Sequence, residues 1–189
     1  IRHDWVDRAL QARHVCTTPL GEVSRVSSID PQTGSEWIRR HYIRETEDYA
    51  AVRYLVENTV FETRFDGFAR RDADLGGDGI LLGRLDRTGY QKLVVELADP
   101  ERVLVDLCTD PGPAERLIEA VNRRVREQFE ACLESPAEVL WQPENLTVDL
   151  TPPDKFEKYC LPLYREFAQR CRERGKVYLV HMDGKLGPL

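Results

Sequence analysis

Three short polar clusters hold the side chains whose types and spacing could do chemistry. The first is His181 and Asp183, followed by Gly184. In an extended segment residues i and i+2 share one side, so the imidazole and the carboxylate can face one centre. Both groups suit zinc, and Glu144 on a neighbouring strand could complete a three-ligand site with one open position. His181, Asp183 and Glu144 are therefore the candidate metal set, where a bound ion would polarise a substrate oxygen or thiol. Alternatively, His181 donates to Asp183 or to a backbone carbonyl and merely closes its strand. Gly184 permits a tight turn or the close approach of a ligand.

The second cluster is Gln142, Glu144 and Asn145. Here a carboxylate stands beside an amide that can orient a ligand, and burial would raise the carboxyl pKa toward the range of proton transfer. Its other role would be to cap the loop before Thr151. The third cluster is Arg84, Asp86 and Arg87. Arg84 can hold a substrate carboxylate bidentately, or it can pair with Asp86 or Asp78. Glu144, Asn145 and His181 are thus the candidate catalytic residues, and Arg84, Asp86 and Gln142 the candidate substrate contacts. His3, His14 and His41 lack such neighbours and read as surface residues. Tyr159, Tyr164 and Trp141 read as core or pocket wall.

These clusters need strands to present them. Gly79–Gly83 is a short apolar run without polar alternation, typical of a parallel strand covered on both faces. Residues 138–142 and 176–181 form the second and third strands. Between them lie helical stretches around 93–97 and 103–107, then a longer helix from about Pro113. Its Arg123, Arg124 and Arg126 alternate with glutamates and read as a solvated face. A further helix follows, with Thr151 as its N-cap and Pro152 at its first position. Its apolar stripe is Phe156, Cys160, Leu163, Tyr164, Phe167 and Cys171, and Pro162 should kink or break it. Cys160 and Cys171 point inward as small hydrophobes. Strands alternating with helices imply parallel pairing and right-handed crossovers, in an open doubly wound sheet or in a barrel. Ligands then gather at the carboxyl ends of the strands, where all three clusters fall.

The first 45 residues differ. They lack helical periodicity, and β-favouring runs at 15–18 and 23–26 flank Pro19-Leu20-Gly21-Glu22, a hairpin signal. After them Thr46 can cap a helix. Phe61, Phe65 and Phe68 then form a helical stripe that ends before Gly76-Gly77. The chain therefore reads as one partial domain over 1–189, an extended hairpin region over 1–45 and a β/α segment over 46–189.

Composition narrows the function. The 189 residues carry 27 basic and 33 acidic side chains, a net charge of −6. Mixed charge with an acidic balance argues against nucleic acid, whose binders carry a basic patch. The longest apolar runs, such as Val177–Val180, fall far short of the roughly 20 residues a membrane helix needs. Five cysteines without CxxC spacing, and no apolar stretch in 1–20, suit reduced thiols and a cytoplasmic location. No GxGxxG and no phosphate loop follows a strand.

Several motifs together resemble the uroporphyrinogen decarboxylase superfamily. They are Asp78-Gly79-Ile80-Leu81-Leu82, Pro143-Glu144-Asn145-Leu146, the run from Leu150-Thr151-Pro152-Pro153 through Phe156 and Tyr159 to Leu161-Pro162-Leu163-Tyr164, and Val180-His181-Met182-Asp183-Gly184. The resemblance implies part of a (β/α)8 barrel. By it, one strand lies before Ile1 with the arginines and aspartate that grip a porphyrinogen, and further strands lie beyond Leu189. With an opening Ile1, the expectation is a fragment of about half a barrel, whose open sheet edges favour self-association. The superfamily holds cofactor-free decarboxylases of tetrapyrrole biosynthesis and zinc-using methyltransferases that work with a corrinoid protein. His181 matches a zinc-binding histidine of the methyltransferase branch, while Asp183 stands where that branch has cysteine. A carboxylate is the harder ligand. The implied activity is methyl transfer from a small methylated substrate to a corrinoid protein, with uroporphyrinogen decarboxylation or a non-catalytic fragment as alternatives.

Overall fold

The computed structural model describes residues 2–6 and 9–189, with side chains from residue 10 onward. In chain order the elements begin with strands β1 (Arg2–Val6), β2 (Ala9–Thr18), β3 (Gly21–Ile29) and β4 (Glu36–Arg40). Helices α1 (Asp48–Glu57) and α2 (Phe65–Leu75) lead to strand β5 (Leu82–Arg84). The short α3 (Gly89–Lys92) runs into a π-helical turn at Leu93–Leu97, followed by α4 (Pro100–Thr109) and α5 (Pro111–Leu133). Strand β6 (Val139–Pro143), α6 (Pro153–Lys155), a second π-helical turn (Phe156–Cys160), α7 (Leu161–Glu173) and β7 (Val177–His181) complete the chain. No helix among the described residues is long and apolar enough to cross a membrane.

The chain divides into two compact units, Ile1–Asn58 with Lys92–Ala120 and Thr59–Gln91 with Val121–Leu189. In the first, β1 to β4 form an antiparallel sheet in sequence order. The expected hairpin is there. Thr18 pairs with Gly21, whose φ of 132° is open to glycine, and the Thr18 hydroxyl donates to the Gly21 carbonyl at 2.9 Å. Thr46 does not cap α1. Its hydroxyl accepts from Arg102, and the Asp48 carboxylate takes the N–H groups of Arg44 and Glu45 instead. Asp99 does cap α4, accepting the Glu101 N–H at 3.0 Å ahead of Pro100. His14 and His41 are half-buried rather than exposed; the side chain of His3 lies outside the described ones.

The second unit holds a parallel sheet in the order β5-β6-β7. Its register sets Leu82 beside Val139 and Val177, and Arg84 beside Trp141 and Leu179. Alternation then gives the sheet two unlike faces. Leu140 and Gln142 are fully buried on one, whereas Leu82, Val177 and Leu179 on the other are 39, 57 and 43% exposed. The first strand was expected to be covered on both sides. It is not, because the helical cover reaches one face only. That cover is well built: Phe129 of α5 stacks on Phe167 of α7 at 3.9 Å. Beside them runs a ladder of ion pairs repeating every four residues, Arg126–Glu166, Glu130–Arg170 and Glu134–Arg174. Of the α5 arginines, Arg126 is paired in this ladder and Arg124 pairs with Glu127, as on a solvated face.

Three local expectations shift. Phe61 precedes α2 and is exposed, and α2 buries no residue, so no apolar stripe forms there; the helix still ends on Gly76 in the left-handed conformation (φ 59°). The helix after β6 starts at Pro153, not Pro152. A residue before proline is pushed out of the helical region, and Pro152 duly stays extended with ψ of 156°. Thr151 therefore caps nothing; its buried hydroxyl accepts from the Gln91 amide at 2.9 Å. The break at Pro162 is present. Proline has no N–H for the carbonyl four residues back, and the ladder widens to a π turn before α7 begins.

Candidate functional site

The ends of β5, β6 and β7 bring the three clusters together, but in two layers. Glu144 leads the buried layer, at 1% exposure. One carboxylate oxygen accepts the Thr88 N–H at 2.7 Å; the other accepts the Thr88 hydroxyl at 2.9 Å and the Tyr164 hydroxyl at 2.8 Å. The Glu144 N–H donates to the His181 carbonyl at 3.1 Å. Burial pushes the Glu144 carboxyl above the usual range, opposed by the Thr88 and Tyr164 donors and the nearby Arg87 guanidinium. Arg87 also donates to the Pro143 carbonyl. One side chain thus fastens the loop after β5 and helix α7 to the end of β6.

Gln142 belongs to this layer as well. Strand alternation turns it away from Trp141 to the covered face. There its amide N–H donates to the Asp86 carbonyl at 2.8 Å and its oxygen accepts from the Tyr178 hydroxyl. Asp86 is half-buried, its N–H donating to Gln128 at 2.7 Å and its carboxylate accepting the Arg87 N–H.

The outer layer lies on the open face. Arg84 is exposed, with its guanidinium 5.7 Å from the centre of the Trp141 ring. His181 is exposed on the other side of Trp141, the two rings 6.2 Å apart and edge-on. Beyond β7, Asp183 receives both its carboxylate contacts from the Asn145 amide nitrogen, at 2.9 Å each, in the amide orientation that satisfies both groups. Gly184 does make a close approach, to the Leu146 and Thr147 backbone rather than to open space.

The residues expected to bind metal are therefore not gathered. His181 and Asp183 are exposed, whereas both Glu144 oxygens are committed to Thr88 and Tyr164. Among the described residues no group of three His, Cys, Asp or Glu side chains is placed to hold an ion. The set does not fit a zinc ion. Thr88 and Tyr178 were missed from sequence, and Tyr164 was read as wall. Their one signal was position, since hydroxyls near strand ends and on an inward helix face must find buried partners.

Cys160 and Cys171 are fully buried, as expected, and burial pushes the Cys160 thiol up to about 12. The thiolate is the reactive form. Iodoacetamide at pH 7.5 should therefore modify the exposed Cys108 in the folded protein, and Cys160 and Cys171 only after unfolding. Peptide mass spectrometry checks this; early labelling of Cys160 would refute its burial.

The comparisons with curated proteins and with solved structures return no match. A family model described as uroporphyrinogen decarboxylase (URO-D) matches residues 91–189. The matched stretch is just over half of the chain and holds Glu144, Asn145, Tyr164, His181 and Asp183, while Arg84 and Thr88 precede it. With these side chains at the ends of parallel strands and the match running through them, the chain belongs to the uroporphyrinogen decarboxylase family.

Proposed function

We infer that the chain is a section of a (β/α)8 barrel and that its substrate lies at the carboxyl ends of β5, β6 and β7. The reaction proposed is methyl transfer from a small methylated substrate to a corrinoid protein. One observation carries it: His181 stands exposed at the end of β7, next to a carboxylate held by Asn145. An exposed imidazole there can give a proton to the leaving heteroatom as its bond to the methyl carbon breaks. The heteroatom keeps the bonding pair and the methyl group passes to the acceptor. Asn145 keeps Asp183 oriented, and Asp183 can accept a hydrogen bond from the substrate.

Uroporphyrinogen decarboxylation is the second reading. It is favoured by the failure of His181, Asp183 and Glu144 to converge, since proton transfer alone would serve it. The two are separated by assaying the complete natural protein with methylated phenols and amines plus cob(I)alamin, and separately with uroporphyrinogen under anaerobic conditions. Methyl transfer is expected, falling by roughly a hundredfold or more in His181→Ala, the usual range for a lost proton donor. Consumption of uroporphyrinogen without methyl transfer would select the second reading. Inertness toward both would leave a non-catalytic role.

A further inference from the structure

The open face of the parallel sheet carries a row of three unlike side chains. Arg84, Trp141 and Leu179 are register partners across β5, β6 and β7, and His181 lies one step further along the same face of β7. The Arg84 guanidinium has no carboxylate partner among the described residues, and the expected pairing with Asp86 or Asp78 is not formed. Asp86 is instead occupied by the Arg87 N–H. What Arg84 does touch is the Trp141 ring, at 5.7 Å. A guanidinium held over a ring face by a cation–π contact leaves its fork of N–H donors open to a planar anion. Leu179, the register partner of Trp141 on β7, continues the row with an apolar side chain. Outer strands of a three-stranded sheet lie about 10 Å apart, so long side chains reaching inward from β5 and β7 span a single ring.

We propose that this row is the substrate-binding surface for an aromatic carboxylate: the carboxylate on Arg84, the ring along Trp141 and Leu179, and the reacting substituent toward His181. This rests on the reading that substrate lies at these strand ends, and it names the class of that substrate. A cation alone would take any small anion, and an indole alone would take any ring. The two side by side select a ligand with both, because a ring that displaced the cation without pairing it would leave that charge poorly solvated.

Isothermal titration of the complete natural protein with benzoate, benzamide and acetate tests this without turnover. Benzoate should bind at least tenfold more tightly than either of the others. Arg84→Met should weaken benzoate tenfold or more, with partial recovery in Arg84→Lys, which keeps the charge but not the fork. Trp141→Leu should weaken benzoate while leaving acetate unchanged, its fold checked by thermal melting. Equal affinity for benzoate and acetate, no binding of benzoate, or an unaffected Arg84→Met would overturn the proposal. A protein that binds benzoate through Arg84 yet transfers no methyl group would keep the substrate class and sink the reaction. Methyl transfer without benzoate binding would do the reverse.

Discussion

Glu144→Ala is expected to destabilise the folded protein by about 3 kcal/mol, from the order of 1–3 kcal/mol for each buried polar group left without a partner. Three donors lose their acceptor at once: the Thr88 N–H, the Thr88 hydroxyl and the Tyr164 hydroxyl. The hydroxyls can rotate and water can enter the gap, and removing a buried carboxylate also recovers its desolvation. These offsets hold the estimate well below the sum of three full penalties. Urea denaturation at pH 7 measures it, and a loss under about 1 kcal/mol would mean that Glu144 is no tie.

Glu144→Gln separates charge from shape. The side chain keeps an acceptor for the Thr88 N–H, and both hydroxyls can turn to accept from its amide. In the wild type, burial raises the Glu144 carboxyl above its unfolded value near 4.3. A raised folded pKa means that protons favour the folded state. That contribution is fully present below the unfolded pKa and is lost as pH rises through the folded one. The wild type should therefore lose stability relative to Glu144→Gln as pH is raised over a range that starts near the unfolded value of about 4.3. A difference flat across that range, or one of opposite slope, would show the carboxyl is not raised.

Gly184→Ala is the second large effect, and it should appear in activity more than in stability. A Cβ built there would sit 2.2 Å from the Thr147 Cβ and 2.5 Å from the Leu146 carbonyl oxygen, so the two backbones must part. Parting them loosens the Val148 N–H to Lys185 carbonyl bond and draws Asp183 from Asn145. Overpacking of this kind destabilises by about 1–3 kcal/mol, and an exposed loop that can shift belongs at the low end. Displacing groups at a reacting centre by about 1 Å can lower the rate a hundredfold. The expected result is kcat/KM down at least tenfold with a melting point lowered by only a few degrees. Unchanged kinetics would mean that the loop after β7 does not position the site.

Much of this was legible in the residues because local backbone chemistry determines it. Gly21 permits the β2–β3 turn, Gly76 ends α2, and Pro162 removes an N–H and breaks the ladder, all within a few positions of where the signal stands. The same holds for the parallel strands, whose short apolar runs are separated by helical periods too long for hairpins. Thr46 and Thr151 misled because capping is a competition. In one case the backbone carbonyls of Glu45, Thr46 and Glu47 take the first N–H groups of α1, and in the other a second proline moved the helix start by one residue.

By itself, then, the sequence determined the alternation of strands and helices from about residue 79, the β2–β3 hairpin, the inward cysteines, the family resemblance and which polar residues reach the strand ends. Tertiary structure alone decided what those residues face. Glu144 and Thr88 are 56 positions apart, and only pairing β5 with β6 brings them within hydrogen-bonding distance. Once they meet, a carboxylate readable as ligand or acid becomes a buried tie. Gln142 and Trp141 are neighbours in sequence, yet the pleat sends one beneath the helices and leaves the other on the open face with Arg84 and His181. Which face is covered depends on where α5 and α7 pack, and no short-range pattern encodes that.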